Sequence, residues 1–223
     1  MAGHRSPARR QGRTIVQDFL LGLLRLLMKL LLQTTTTGLE NVPPDGPVIF
    51  VINHIAWLDP VAALGILPRR TIPMAKEEVF RYFVVGWLVR LYGVIPVRRG
   101  EADVPAIKRA LQILRAGGAV LLAPEGTRSP TGCLQPGKDG AATLALRGPA
   151  PIVPVGVTGT RGIHRAWLKL RRPAIHFSIG PAFWLTPPAG ERPLSRAHLP
   201  GLTRQVMTRL AAQLPEEMRG VYR

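Results

Sequence analysis

A histidine and an aspartate, five positions apart, follow a β-prone segment of the chain. The apolar, largely β-branched run Val48–Ile52 predicts a buried strand, and His54 and Asp59 come directly after it. On a regular helix, side chains five residues apart point about 140° away from each other, so these two meet only where the chain turns back. In such a turn, the carboxylate fixes the imidazole tautomer and leaves the second ring nitrogen free to act as a base.

The same residues also have a purely structural interpretation. Asp59 followed by Pro60 is typical of a helix start, with aspartate as the N-cap and proline as the first helical residue. In that interpretation, Asp59 caps a helix and His54 merely occupies the turn. Because a carboxylate has two oxygens, Asp59 is also able to serve both purposes. The motif alone leaves these alternatives open.

Predicted strands and helices alternate along the rest of the chain. This alternation favours one α/β domain with a mostly parallel or mixed sheet flanked by helices. Polar residues occur where two further strands end, namely Arg99 and the segment 125–128. The predicted strands are 34–37, 48–52, 71–75, 93–99, 119–123, 151–157 and 174–179, and the clearest predicted helices are 14–33, 60–66, 104–115, 138–147 and 195–214.

The two arginines at these strand ends are of a type that binds phosphate. The guanidinium groups of Arg99 and Arg128 match a phosphate with two parallel hydrogen bonds, and Gly126 allows a backbone N–H to approach a ligand closely. The alternative is that each arginine is a solvated surface charge and that Glu125 forms an ion pair with Arg128. Thirty lysines and arginines in the chain give that alternative weight.

Composition limits the classes of partner and of site. The 223-residue chain carries a net charge of +17, which favours an anionic partner such as nucleic acid, an anionic membrane face or a phosphorylated substrate. Five cations fall within residues 161–172. Cys133 is the single cysteine, so neither an intrachain disulfide nor a cysteine-rich zinc site can form, and the five histidines lack ligand spacing. We therefore expect no metal.

The amino-terminal region combines a basic tail with an apolar helix. Residues 1–13 are polar and basic, and residues 14–33 form a predicted helix with one narrow polar stripe that includes Arg25 and Lys29. Its uncharged stretches are shorter than the ~20 residues of a transmembrane span, so we expect it to lie lengthwise in a membrane face. The alternative is a helix packed on the domain, with both cations facing water. The charges within the apolar region argue against a signal peptide.

A second apolar segment, residues 79–92, contains five aromatic residues among aliphatic ones. Such a segment either belongs to the core or forms the wall of a groove for a long apolar ligand. The core is the default expectation for a pattern of this kind.

Four blocks of sequence resemble the glycerolipid acyltransferases, a family that includes lysophosphatidic acid acyltransferase. NHIAWLD (residues 53–59) resembles the family's NHX4D motif, and three further blocks follow in the family's order. One departure is Pro96, which stands where the family usually has an aromatic or bulky aliphatic residue. The three further blocks are GVIPVRR (93–99), PEGTRS (124–129) and APIVPVGV (150–157).

The resemblance implies a fold, a reaction and a set of partners. The fold would be glycerolipid-acyltransferase-like, with residues 34–223 as the acyltransferase domain. His54 would remove the proton from the 2-hydroxyl of 1-acylglycerol 3-phosphate while Asp59 orients the imidazole. The acyl group would come from a thioester of CoA or acyl carrier protein, with no cofactor, and the product would be phosphatidic acid. The residues implied to bind the substrate are Arg99, Glu125, Gly126, Thr127 and Arg128.

The expected location is an anionic membrane surface on its cytoplasmic face, because basic residues near a membrane favour that side. We expect no nucleic acid as a partner. Three other hypotheses remain: the same chemistry on another lysophospholipid or lyso-glycolipid, a basic nucleic-acid-binding protein, and a membrane-surface phosphatase or esterase. The +17 charge supports the nucleic-acid hypothesis, but the sequence shows no nucleic-acid motif and that hypothesis leaves the apolar amino-terminal helix unexplained.

Overall fold

Seven strands form the centre of the structure. The computed structural model describes residues 15–98, 103–185 and 198–223. The central strands are built from apolar, β-branched residues and are buried along their length, as expected for strands covered on both faces. The strands are β1 (Gln33–Thr37), β2 (Val48–Ile52), β3 (Thr71–Lys76), β4 (Ile95–Val97), β5 (Ala119–Leu122), β6 (Ile152–Thr158) and β7 (Ala174–Ile179).

The strands form one mixed sheet in the order β1-β7-β6-β2-β5-β3-β4. Five strands from β6 to β4 run parallel to one another, and β7 pairs antiparallel with β6. Because β1 is parallel to β7, it also runs opposite to the central strands. The start of β1 therefore lies at the same edge of the sheet as the carboxyl ends of β2 and β6.

In the part of the chain that the structure describes, seven α-helices accompany this sheet. Right-handed crossovers place α2 and α3 on one face and α4 and α5 on the other. In agreement with this, α1 packs against α2 and α3, whereas α5 packs against α4 and α7. The helices are α1 (Ile15–Leu31), α2 (Asp59–Ile66), α3 (Phe83–Tyr92), α4 (Val104–Arg115), α5 (Gly140–Arg147), α6 (Ile163–Leu168) and α7 (Leu199–Ala211).

The topology creates a ligand-binding position between β2 and β5. These strands are neighbours, but the helix after β2 lies on one face of the sheet and the helix after β5 lies on the other. Open α/β sheets bind ligands outside the carboxyl ends of strands where the connections diverge in this way. His54 follows β2 and Glu125 follows β5, so the fold brings two of the sequence blocks to this point.

The predicted α/β class with a mixed, helix-flanked sheet is confirmed. One predicted boundary is wrong, and one helix was not predicted. The amino-terminal helix ends at Leu31 rather than Gln33, because Gln33 already pairs with Ala174 as the first residue of β1. Helix α6, within residues 161–172, was not predicted. The predicted tail 1–13, Thr14 at the helix start, Arg99, and residues 195–197 of the carboxyl-terminal helix lie outside the described residues.

Helix α1 contacts the domain along one side only. Gln17, Leu21 and Met28 are buried, whereas most of its other apolar side chains are exposed. Side-chain hydrogen bonds fasten both ends: Gln17 Nε2 donates to the Tyr92 carbonyl (2.9 Å), and Arg172 donates to the Lys29 and Leu32 carbonyls. The exposed apolar residues are Ile15, Val16, Phe19, Leu23, Leu26, Leu27, Leu30 and Leu31.

The expectation that residues 79–92 belong to the core is wrong for most of the segment. Tyr92 is buried, but Phe83 is 95% exposed and Trp87 is 60% exposed. The segment is a short 3-10 helix (Glu77–Arg81) followed by α3, and α3 turns one apolar side away from the sheet. We call the exposed apolar side chains of α1 and α3 together the apolar face. No helix in the described ranges is long and apolar enough to cross a membrane.

Candidate active site

His54 and Asp59 meet in a turn at the carboxyl end of β2. The imidazole Nδ1 lies 3.2 Å from Asp59 Oδ2, and the side chain of Asp59 is fully buried while that of His54 is 18% exposed. An Nδ1–H donated to this carboxylate leaves Nε2 unprotonated and able to accept a proton. The turn therefore presents a base to solvent and keeps the group that orients it inside the protein. We call residues 53–59 the catalytic turn.

Asp59 also shapes the turn that holds it. Its Oδ2 accepts hydrogen bonds from the backbone N–H groups of Ile55 and Ala56, both at 2.6 Å. The prediction that Asp59 is the helix N-cap is wrong, because α2 begins at Asp59 itself and the N-cap is Leu58, which makes no side-chain capping bond. The carboxylate points back into the turn instead. This is how residues five apart come into contact.

Asn53 ties the catalytic turn to the neighbouring strand β6. Its side-chain amide donates to the Val157 carbonyl (2.8 Å), and its Oδ1 accepts from the Val157 N–H (2.7 Å). The side chain is buried, and its amide thereby pairs two backbone groups at the end of β6. A two-point contact of this kind fixes both the position and the direction of the backbone immediately before His54.

Glu125 holds the catalytic turn from the opposite side. Its Oε1 accepts from the His54 backbone N–H (2.7 Å), and its Oε2 accepts from the Gln135 N–H (2.9 Å). The Ser129 N–H in turn donates to the His54 carbonyl (2.7 Å). Burial raises the pKa of Glu125 above its usual range, and the two backbone hydrogen bonds oppose that shift. Glu125 is a buried positioning residue, with both oxygens engaged by backbone.

Two residues of the PEGTRS segment face solvent. Thr127 and Arg128 are exposed, so the guanidinium of Arg128 is accessible to a ligand. Gly126 has a φ of +66°, a left-handed conformation that glycine adopts without strain. A Cβ at Gly126 would come within 3.0 Å of the Lys138 side chain, so Lys138 lies over the glycine and adds a second cation.

The structure thus brings His54, Asp59 and Glu125 into one hydrogen-bonded unit, with Gly126 to Arg128 beside it. Sequence reasoning missed three contributors: Asn53, Gln135 and Lys138. Asn53 lies within the NHIAWLD block and could have been identified from the sequence. A side-chain amide directly after a buried strand is itself expected to be buried, and buried amides need hydrogen-bond partners. Gln135 contributes only a backbone N–H, which no sequence pattern signals. Within the described residues, no cluster of His, Cys, Asp or Glu could hold a metal ion.

Part of the basic cluster 161–172 has a structural role. Arg161 donates to the carbonyls of Pro130 and Thr131, and Arg172 donates to carbonyls at the end of α1. These arginines join the connection between β6 and β7 to the loop that carries Glu125 and to the amino-terminal helix. The cluster as a whole is therefore weak support for the nucleic-acid hypothesis.

The sequence is similar to those of known proteins. The sequence model of the family described as Acyltransferase matches residues 33–158. A chloroplast 1-acyl-sn-glycerol-3-phosphate acyltransferase of Brassica napus is 37% identical over 57% of the chain and 38% of its own length. The 1-acyl-sn-glycerol-3-phosphate acyltransferase of Bacillus subtilis is 34% identical, over 54% of the chain and 60% of its own length. The human alpha form is 33% identical over 65% of the chain and 53% of its own length.

The fold also matches a solved structure. The crystal structure of the 1-acyl-sn-glycerophosphate acyltransferase PlsC from Thermotoga maritima superposes with a TM-score of 0.66 and 24% sequence identity. The match covers 96% of this chain and 86% of that one. At this identity the comparison shows a shared fold. The curated relatives are longer, and the chain spans roughly half their length.

Proposed function

Since the chain belongs to the acyltransferase family, we propose that it moves a fatty acyl group from a thioester to the 2-hydroxyl of 1-acylglycerol 3-phosphate, giving phosphatidic acid. The observation that carries this proposal is the contact between His54 Nδ1 and the buried carboxylate of Asp59, which leaves Nε2 available as a base. The names of the relatives support the choice of acceptor.

The reaction needs one base and no covalent enzyme intermediate. Nε2 of His54 takes the proton of the acceptor hydroxyl as its oxygen attacks the thioester carbonyl. The new C–O bond forms, the C–S bond breaks, and the departing thiolate takes the proton from the imidazolium. Asp59 stabilises the imidazolium between these two steps and keeps the ring oriented. The free thiol is that of CoA or acyl carrier protein.

The phosphate of the acceptor binds on the solvent side of the catalytic turn. Arg128, and Arg99 beyond the described residues, supply the guanidinium groups that the family resemblance assigns to this task. Lys138 over Gly126 adds a cation at the same loop. The exposed Thr127 lines the approach to them, whereas the Gly126 N–H is engaged by the Ala123 carbonyl (3.0 Å). Glu125 contributes by holding the loop against His54 rather than by touching the phosphate.

The apolar face supports a location of this chemistry at a membrane surface. The proposed acceptor and product are both membrane lipids, and most of the apolar side chains of α1 and α3 are exposed. Contiguous apolar surface of this kind marks a membrane or protein interaction site. We place the face in the acyl-chain boundary of an anionic bilayer, on its cytoplasmic side, with the basic residues near the headgroups.

The test is an acyl-transfer assay on the purified full-length chain in detergent. Lysophosphatidic acid is offered together with acyl-CoA in one arm and acyl-acyl carrier protein in the other, and phosphatidic acid is measured. A parallel panel of other lysophospholipids tests the alternative acceptor. Formation of phosphatidic acid in neither arm overturns the proposal, and release of free fatty acid without any acceptor identifies an esterase instead.

A further inference from the structure

The connection between β6 and β7 leaves the sheet at the catalytic edge. Strand β6 ends at Thr158, directly after the Val157 that Asn53 binds, and the chain returns at Ala174 as β7. Residues 159–173 between them contain helix α6 and no aspartate or glutamate. This connection therefore projects from the same edge of the sheet as His54.

The turn after α6 contains a leucine in a position that normally holds glycine. The Leu170 N–H donates to the Trp167 carbonyl (2.9 Å), and the Arg171 N–H donates to the Ala166 carbonyl (2.9 Å). This pair of bonds is a Schellman motif, in which the residue at C′ is left-handed and is usually glycine. Leu170 has a φ of +51° and is the only non-glycine residue in the described ranges with a positive φ.

The leucines of this turn contribute little to folding. Leu170 is 97% exposed and Leu168 is 83% exposed, so neither side chain packs against the domain. A left-handed leucine costs the fold free energy that a glycine would not. A large apolar side chain held in water by a strained turn has no stabilising role within the folded chain. A partner that covers these leucines therefore lies outside the folded chain.

The turn is joined to the carboxyl end of α1. Trp167 Nε1 donates to the Leu31 carbonyl (3.2 Å), and Arg172 donates to the carbonyls of Lys29 and Leu32. Leu30 and Leu31 at that end of α1 are themselves exposed parts of the apolar face. Leu168 and Leu170 thus continue the apolar face beyond the end of the helix.

Cations surround these two leucines. Arg165, Lys169 and Arg171 are all exposed, and no acidic residue occurs between Thr158 and Ala174. Next to this turn, Arg172 lines a groove of about 360 Å³ together with Lys29 near the end of α1 and residues at the start of β1. Apolar tips flanked by cations match the acyl-chain and headgroup layers of an anionic bilayer.

We propose that residues 168–171 form a second membrane contact, in which Leu168 and Leu170 enter the acyl-chain boundary and Lys169 and Arg171 bind anionic headgroups. The inference rests on the proposed function, because it supposes a lipid substrate. It fixes the orientation of the enzyme: α1 and this turn touch the bilayer together, and the catalytic edge of the sheet faces the lipid surface.

The decisive variant is Leu170→Gly, because the proposal predicts opposite effects on folding and on binding. The melting temperature of the full-length protein should rise, since glycine relieves the left-handed strain. Binding to vesicles of equal parts phosphatidylcholine and phosphatidylglycerol should fall by about tenfold, since one leucine loses its burial in lipid. Leu168→Ala should weaken vesicle binding in the same direction. Leu39→Ala, which removes an exposed leucine after β1 at the opposite edge of the sheet, should leave it unchanged.

Vesicle binding by Leu170→Gly and Leu168→Ala equal to that of the unmodified chain would overturn the inference, as would a lower melting temperature for Leu170→Gly. Acyl transfer in detergent should be unchanged in both variants, and a loss there would mean that the turn serves the active site rather than the membrane. Failure of the unmodified chain to acylate lysophosphatidic acid in detergent would instead count against the proposed function. The two proposals thus fail on separate measurements.

Discussion

The catalytic turn and the apolar face both depart from the usual rule that polar residues are exposed and apolar residues are buried, but they do so in opposite ways. The turn buries polar groups: Asn53, Asp59 and Glu125 are each almost inaccessible to solvent. The face exposes apolar groups on α1 and α3 that an ordinary soluble domain would cover. Buried polar side chains are tolerated where they are hydrogen-bonded, and each of these three is bonded to backbone.

The difference shows that the turn is stabilised by contacts within the chain, whereas the face needs a partner from outside it. The turn is held in place within the protein, because Asn53, Asp59 and Glu125 bind backbone N–H and C=O groups of the same chain. Asp59 makes these bonds through Oδ2, whereas its Oδ1 is buried without a hydrogen-bond partner. Such a site is already organised before a substrate arrives, which is what base catalysis requires. The face is complete only when something apolar covers it. Variants in the turn should therefore act equally in detergent and on vesicles, and variants in the face should act on vesicles alone.

The largest expected effect tests the turn at its base. His54→Ala should lower kcat in detergent by about 10²- to 10⁴-fold, the usual contribution of a positioned general base. The fold should persist, because the His54 contacts that join the turn to the 124–138 loop are made by its backbone. Turnover is measured with lysophosphatidic acid and acyl-CoA, and folding by circular dichroism. His164→Ala, an exposed histidine on α6, serves as the control, and near-normal turnover in His54→Ala would make His54 structural.

Glu125→Gln tests whether the turn depends on its buried support. Glutamine has one acceptor oxygen, so either the His54 or the Gln135 N–H loses its partner, and kcat should fall by roughly 10- to 100-fold. KM should change little, because both carboxylate oxygens of Glu125 are already bonded to backbone N–H groups. Steady-state kinetics in detergent measure both values, with the exposed Glu40→Gln as control. A rise in KM with unchanged kcat would instead show that Glu125 binds the substrate, as the family resemblance implied.

The same variant carries a pH signature. Burial raises the pKa of Glu125 in the folded protein above the value of about 4.3 that an unfolded glutamate has. A raised pKa means that this group stabilises the fold fully below the unfolded pKa and loses that contribution as pH rises through the folded pKa. Glu125→Gln cannot titrate. The melting-temperature deficit of the variant should therefore be largest at low pH and should narrow as pH rises.

Much of the contrast between the catalytic turn and the apolar face could be predicted from the sequence. The β-branched run before Asn53 and the apolar run at 119–123 predicted the strands that carry the site, and the glycine pair Gly117-Gly118 predicted the end of α4. The Asp59 carboxylate was assigned to His54 correctly but to the helix N-cap wrongly, since local patterns do not show which way a side chain turns. Residues 79–92 were expected in the core because composition alone cannot tell a buried apolar helix from an exposed one.

Arg128→Ala tests the solvent side of the turn, where a smaller effect is expected. Arg128 is exposed, so water partly screens its contact with a phosphate, and KM for lysophosphatidic acid should rise by about tenfold. KM for the thioester should stay close to its original value. Both constants are measured in detergent. Equal increases for the two substrates would remove Arg128 from the phosphate site.

The smallest expected effect separates two cations that lie one helical turn apart on α1. Arg25 donates to the carbonyls of Gly65 (3.1 Å) and Leu67 (2.9 Å), so it pins α1 to the end of α2. Lys29 is exposed and lines the groove beside the 168–171 turn. The sequence placed both residues in the same polar stripe of the helix. The structure gives Arg25 a second task within the fold, so the two variants should no longer behave alike.

Lys29→Gln should weaken binding to anionic vesicles about fivefold, the effect of one cation near such a surface, and leave the melting temperature unchanged. The loss should vanish in neutral vesicles and at high salt, because salt screens exposed charges. Arg25→Gln should lower the melting temperature, because it removes two side-chain hydrogen bonds between α1 and α2. If Arg25→Gln leaves the melting temperature unchanged and Lys29→Gln lowers it, then Lys29, not Arg25, attaches α1 to the domain. The edge of the apolar face at Lys29 would then belong to the folded domain rather than to the bilayer.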